Sequence, residues 1–156
     1  MKTQLEQIGN DILDIVNAQV PLLCTLSEDV ITNSYNKQNR NIKQLIGHLI
    51  DSASNNHQRI VRLQYSNNLQ FPDYTLQNDL WIAIQQYKNA DFQNLLQLWK
   101  FFNYHIVHII KQIDTTKLNN YWCDAVGMKL SLYDMIQGYL AHMHLHINDV
   151  HELINQ

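Results

Sequence analysis

Apolar residues recur at helical spacing in four long segments of the chain, and no window shows sustained strand alternation. The first segment runs from about Thr3 to Val20, with Leu5, Ile8, Ile12, Ile15 and Val16 as its stripe. A Thr3-x-x-Glu6 capping box opens it, and Pro21 is expected to close it. The second begins near Asn41, with Gln44 three residues on, and continues to about Gln64. Ile42, Ile46, Leu49, Ala53, Ile60 and Leu63 form its buried face. The third is the cleanest: Phe92, Leu95, Leu96, Trp99, Phe102, Ile106, Ile109, Ile110 and Ile113 follow i, i+3, i+4 spacing almost without interruption. The fourth starts near Ser131, where Asp134 makes a weaker capping box. It ends around Ile154, on a stripe of Leu132, Met135, Ile136, Tyr139, Met143, Ile147, Val150 and Ile154.

Between the second and third segments lies Asn67 to Asn89, with a short helix expected around Asp79 to Tyr87. A loop from about Asp114 to Lys129 joins the third to the fourth. Four rods with one-sided apolar stripes bury them best against one another. The pattern therefore predicts an all-α fold: a four-helix bundle with a long connection between helices 2 and 3, residues 1–156 forming one domain. Only four Gly and two Pro punctuate the chain, which agrees with long helices.

Composition narrows the function. A formal charge of −3 and a pI near 6.2 remove the usual electrostatic driver of nucleic-acid binding, so no nucleic-acid partner is expected. No apolar run is long enough to span a membrane, and Glu6, Asp11 and Asp14 interrupt the N-terminal stretch where a signal peptide would be apolar. Cys24 and Cys123 are too few and too far apart for a disulfide framework or a zinc knuckle. The expectation is a cytoplasmic protein. Charged residues make up only 16%, the polar surface being supplied instead by 18 Asn and 16 Gln spread evenly along the chain.

Eight histidines are more than a small domain usually carries. His142 and His146 stand at i and i+4 on the fourth helix, so both project from one face and can reach one divalent metal. Asp149, three residues later, can orient a ligand imidazole by accepting its remaining N–H. His144 and His151 point away and read as surface. Two imidazoles make a weak site, and a third ligand has to come from another helix. On periodicity, His57 falls inside the second helix's apolar stripe, whereas His48 lies off its edge with Ser52, Asn55 and Arg59; pattern alone slightly favours His57. His105 and His108 lie away from the third helix's stripe and read as surface. Asn103, inside that stripe, must be hydrogen-bonded in a polar network or face a cavity. Trp81, Trp99 and Trp122 read as core or cleft wall, with Trp122 and its neighbour Tyr121 placed to act as a cleft lid.

The segments GHLIDSASNNHQR, residues 47–59, and AHMHLHI, residues 141–147, resemble the DinB-like superfamily, and within it the YfiT-like metal-dependent hydrolases. FPDY, residues 71–74, with Trp81 resembles the loop that follows the second helix in these proteins, so the likeness extends over nearly the whole chain. The resemblance implies a four-helix bundle and a divalent ion, nickel or zinc, held by His48, His142 and His146; it selects His48 over His57. Two features depart from it. Asn39-Arg40-Asn41 stands where relatives commonly carry Trp-Ser or Trp-Thr, and Leu145 stands where a further His is frequent.

Three neutral imidazoles leave a coordination position open, the mark of a catalytic rather than a structural site. The resemblance implies activation of water or of a low-molecular-weight thiol, hence a hydrolase or a thiol S-transferase acting on a small-molecule substrate, and allows a homodimer. Asp51, Asn55 and Arg59 are the candidate catalytic residues. Arg59 suits a substrate carboxylate through its bidentate fork, and Asn55 suits substrate or a ligand-bound water. Two alternatives remain: a stress-related bundle that binds metal or ligand without turnover, and a structural, dimerising bundle with incidental histidines.

Overall fold

A computed structural model of the chain describes residues 1–124 and 126–156. Its principal helices are α1 (Lys2–Cys24), α3 (Ile42–Leu63), α5 (Phe92–Gln112) and α6 (Leu132–Ile154), with shorter α2 (Glu28–Asn33) and α4 (Asn78–Gln85) in the connections. α1 packs against α5 and α6, and α3 packs against the same two. The bundle therefore closes in the order α1–α5–α3–α6, with α1 diagonal to α3 and α5 diagonal to α6. Consecutive long helices α3 and α5 lie side by side, whereas the connections from α1 to α3 and from α5 to α6 must each cross the end of the bundle.

The periodic stripes become the core. Leu5, Ile12, Val16, Ile42, Ile46, Leu96, Trp99, Ile106, Ile136, Met143 and Val150 are all buried. α3 starts where its pattern predicts. The Asn41 side chain accepts from the Gln44 N–H and the Gln44 side chain from the Asn41 N–H, a complete capping box that satisfies two of the helix's orphan donors. Ser131 caps α6 in the same manner, accepting from the Asp134 N–H.

α1 departs from expectation at both ends. It begins two residues earlier than a Thr3 cap would allow, since the N–H groups of Gln4 and Leu5 donate to the Met1 carbonyl and no side chain caps it. It also runs through Pro21 to Cys24. The ring removes the donor for the Asn17 carbonyl, but Asn17 and Pro21 are exposed, so water can take that place. Continuing the helix buries Leu23 completely, worth about 1.5–3 kcal/mol and comparable to the proline's cost. The six-residue α2, opened by a Ser27 cap, was not evident from periodicity.

The fold also has a small sheet where the pattern predicted none. β1 (Asn68–Leu69) pairs in parallel with β2 (Tyr121–Cys123), Asn68 opposite Tyr121, and β2 pairs antiparallel with β3 (Lys129–Ser131), Trp122 opposite Leu130. Strands of two and three residues are too short to leave a period-2 signature. The sheet ties the two long connections together at one end of the bundle. Among the described residues, no helix is long and apolar enough to cross a membrane.

Candidate metal centre

His48 lies in the second turn of α3, and His142 and His146 lie in the middle of α6. Because α3 and α6 pack side by side, the three rings converge. Ring centroids are 5.0 Å apart for His48–His142, 4.7 Å for His48–His146 and 4.6 Å for His142–His146. One nitrogen from each lies within 4.8 Å of the others, and the Nε2 atoms of His48 and His142 are 3.1 Å apart. Two nitrogens bound to one ion at about 2.1 Å stand roughly 3.0–3.4 Å apart in octahedral or tetrahedral geometry, so the cluster fits a divalent metal.

The far sides of two rings are fixed. His146 Nδ1 lies 3.0 Å from Asp149 Oδ2. A carboxylate only accepts, so the proton sits on Nδ1 and Nε2 keeps its lone pair for the cluster. Asn36 Nδ2 donates to the same carboxylate oxygen at 3.4 Å, and the Asn36 Oδ1 accepts from the N–H groups of Gln38 and Arg40. The loop entering α3 is thereby connected to the outer face of the site. Ser52 Oγ lies 3.2 Å from His142 Nδ1.

Burial holds all three imidazoles neutral. His48 is lowered to about 3 by burial first, then by the charges of His142, His146 and Arg40. His142 is lowered to about 4 by burial, with His146 and Arg40 adding to it. His146 is also lowered by burial, with Asp149 opposing. Lone pairs are therefore available at neutral pH without competition from protons. Arg40 is buried, and its Nε and Nη2 donate to Asp79 Oδ1 of α4 at 3.2 and 2.7 Å.

The cluster opens into a cleft of about 210 Å³ lined by His48, Ser52, Asn56, Arg59, Tyr74, Tyr139 and His142, among others. Arg59 is buried there, its guanidinium 3.7 Å from the Trp122 ring centroid and its Nη2 3.5 Å from Asp73 Oδ1. Trp122 is thus no lid. It is 2% exposed within β2, and its Nε1 donates to the Phe71 carbonyl at 2.8 Å. Tyr74, buried at the cleft wall, has its phenol pushed up to about 12 by burial and by the Asp51 charge.

Asp51 and Asn55, on the same polar edge of α3, are buried but do not line this cleft. The Asp51 Oδ1 accepts from the Tyr87 hydroxyl at 2.6 Å and from Gln85 Nε2 at 2.7 Å, and burial raises its pKa. Asn55 lies instead beside Phe71, Pro72, Tyr74 and Trp81 in a neighbouring pocket. Asn103 resolves to the polar network. It is fully buried, its Oδ1 accepting from the Tyr139 hydroxyl at 2.6 Å and its Nδ2 donating to the Trp99 carbonyl at 2.7 Å.

The other histidines lie elsewhere. His57 faces α5, 5.6 Å from the Phe102 ring and 5.3 Å from that of His105. His105, His108 and His144 are exposed as expected, while His151 is half-buried and its Nε2 lies 2.6 Å from the Gln19 Oε1 of α1. Arg40, Tyr74 and Tyr87 were not among the candidate site residues read from the sequence. All three sit in or next to loops, where no periodicity reports burial.

No protein-family model matches the sequence, and no curated protein matches it. Among solved structures, the chain is similar to YfiT from Bacillus subtilis, described as a probable metal-dependent hydrolase with an unusual four-helix bundle topology. The two superpose with a TM-score of 0.81 over 97% of this chain and 85% of that one, at 17% sequence identity. The chain has a YfiT-like fold. At that identity the likeness establishes the architecture alone, and the chemistry rests on this chain's own residues.

Proposed function

We propose that this protein is a divalent-metal-dependent enzyme of the YfiT-like type, with His48, His142 and His146 holding nickel or zinc. The observation that carries the reading is three neutral imidazoles presenting nitrogens within 4.8 Å of one another at a cleft of about 210 Å³. When bound, such an ion supplies an open position at which water or a low-molecular-weight thiol loses its proton at neutral pH, the step shared by a hydrolase and a thiol S-transferase.

The chain's own residues do the rest. Asp149 and Ser52 hold the His146 and His142 rings in orientation. Arg59 puts a delocalised cation on the cleft wall, where it meets an anionic group of the substrate, and the Trp122 ring fixes the plane of its fork. Tyr74 and Tyr139 wall the cleft and limit access of water. Asp51 serves as a positioning residue, anchoring α4 to α3 through Tyr87 and Gln85. Neither Asp51 nor Asp149 lines the cleft, and this favours, as the second reading, a bundle that binds metal without turnover.

Metal content by plasma mass spectrometry on tag-free protein tests the site, wild type beside His142→Ala. The expected result is about one nickel or zinc ion per chain, lost in the variant. A wild type that stays as empty as His142→Ala after loading with both metals overturns the reading. Turnover of thiol and hydrolysable substrates by the loaded protein then separates enzyme from binding protein.

A further inference from the structure

α3 has cavities on two sides. Ser52, Asn56 and Arg59 face the metal cleft, whereas Asn55 faces a second pocket of about 270 Å³ walled by Phe71, Pro72, Tyr74 and Trp81. Tyr74 belongs to both walls, so the two cavities are neighbours separated by one side chain.

The second pocket is built rather than incidental. Its aromatic walls are held in place before any ligand arrives. The Tyr74 and Trp81 rings stand 4.8 Å apart at 41°, the Phe71 carbonyl accepts from Trp122 Nε1, and the Arg62 guanidinium lies 5.4 Å from the Phe71 ring centroid. Preformed aromatic walls bind flat apolar groups with little ordering cost. Ser54 and Gln58 add exposed polar groups, and Asn55 is the buried polar residue of the lining. Asn55 is 6% exposed, and its Oδ1 is buried with no hydrogen-bond donor from the protein. A buried amide oxygen left unpaired is costly, and an N–H brought by a ligand would satisfy it after a small rotation of the amide.

We propose that this pocket is a specificity subsite for a flat, apolar moiety carrying an N–H donor, part of a substrate whose reacting end enters the metal cleft past Tyr74. The chemistry of the reacting end rests on the function proposed above. Recognition in the pocket does not, because none of the three histidines lines it.

Indole, a flat apolar molecule with one N–H, and benzothiophene, of nearly the same shape without a donor, serve as probes. Each is titrated into ¹⁵N-labelled, metal-free protein. Indole is expected to bind saturably, with its largest amide shifts at residues 54–58 and 71–81 and at the Trp81 side-chain N–H. Benzothiophene is expected to bind about tenfold more weakly. Trp81→Ala, at a half-buried position, should weaken indole about tenfold. Asn55→Leu should bring the two probes within about twofold of each other. His142→Ala should leave indole binding unchanged, so loss of the metal site and loss of the subsite are read separately. Absence of saturable shifts in this region, or equal binding of the two probes to wild type, overturns the proposal; the second comparison needs no variant to fold.

Discussion

Gly47 precedes His48, and α3 approaches the segment after α4 closely there. A Cβ there would lie 2.2 Å from Cδ2, 2.3 Å from Cγ and 2.6 Å from Cε2 of Tyr87. These are ring atoms of a buried residue, not the end of a flexible chain, so Gly47→Ala must displace the whole Tyr87 side chain. Overpacking of this kind costs about 1–3 kcal/mol. Displacement also breaks the 2.6 Å hydrogen bond from the Tyr87 hydroxyl to Asp51, and a hydrogen bond to a charged partner is worth about 1.5–3 kcal/mol. Against these stands the helical gain of Ala over Gly, about 1 kcal/mol. The net expectation is a loss of roughly 2–4 kcal/mol, or about 5–15 °C in Tm for a chain of this size.

The sign of the effect should depend on Tyr87. In a Tyr87→Ala background the ring is gone, and Gly47→Ala should become stabilising by about 0.5–1 kcal/mol through helix propensity alone. Urea unfolding of the four proteins followed by circular dichroism gives the coupling directly, and the expected interaction energy exceeds about 2 kcal/mol. If Gly47→Ala is as stable as wild type with Tyr87 intact, the close approach is not a feature of the folded protein, and the anchoring of α4 through Asp51 loses its basis.

Three further outcomes are expected. Asp149→Ala removes the acceptor of His146 Nδ1 and should weaken zinc binding about 10- to 100-fold in competition with a chromophoric chelator, with little change in far-UV circular dichroism. Tyr139→Phe strands the buried Asn103 Oδ1 and should cost about 1–3 kcal/mol in urea unfolding; an unchanged midpoint would show that the amide has another donor. Asp51 has a folded pKa raised by burial, so its ionisation opposes folding at neutral pH, and that penalty disappears as pH falls through the folded pKa toward the unfolded value. Asp51→Asn should therefore show its most favourable Tm relative to wild type near pH 7, with the difference shifting toward wild type on acidification. A difference that is flat with pH would remove the charge from the explanation.

The bundle was legible because its information is local. Stripes at i, i+3, i+4 and the Asn41–Gln44 and Ser131–Asp134 caps each lie within a turn or two of chain, and they place α3, α5 and α6 within a residue or two of their observed ends. The site was legible in part, and the ambiguity between His48 and His57 shows why. A one-stripe reading treats a helix as having one buried face, and His57 is on it. α3, however, packs against two neighbours, α5 on the stripe side and α6 on the other. His57 turns to Phe102 and His105 of α5, while His48 turns to α6, where the other two imidazoles are. Periodicity ranks burial and says nothing of which neighbour does the burying, so it could not choose between them; the motif resemblance did.

The same reasoning explains the residues around the site. His48, Asp51, Ser52, Asn55 and Arg59 look like a solvated edge, yet all five are buried beneath α6, the 71–74 segment, Tyr87 and Trp122. A hint was present, since this edge carries no Lys and no Glu, the residues that populate truly solvated helix faces. What covers it comes from the loops. Trp122 is brought over α3 by a sheet whose β1–β2 pairing joins residues more than fifty positions apart, Tyr74 follows β1 in the same connection, and Arg40 reaches the site from the turn before the helix. Such pairings leave no periodic trace, so the clustered histidines and their helices were readable from the chain, whereas the walls that shape the cleft and its neighbouring pocket required the tertiary fold.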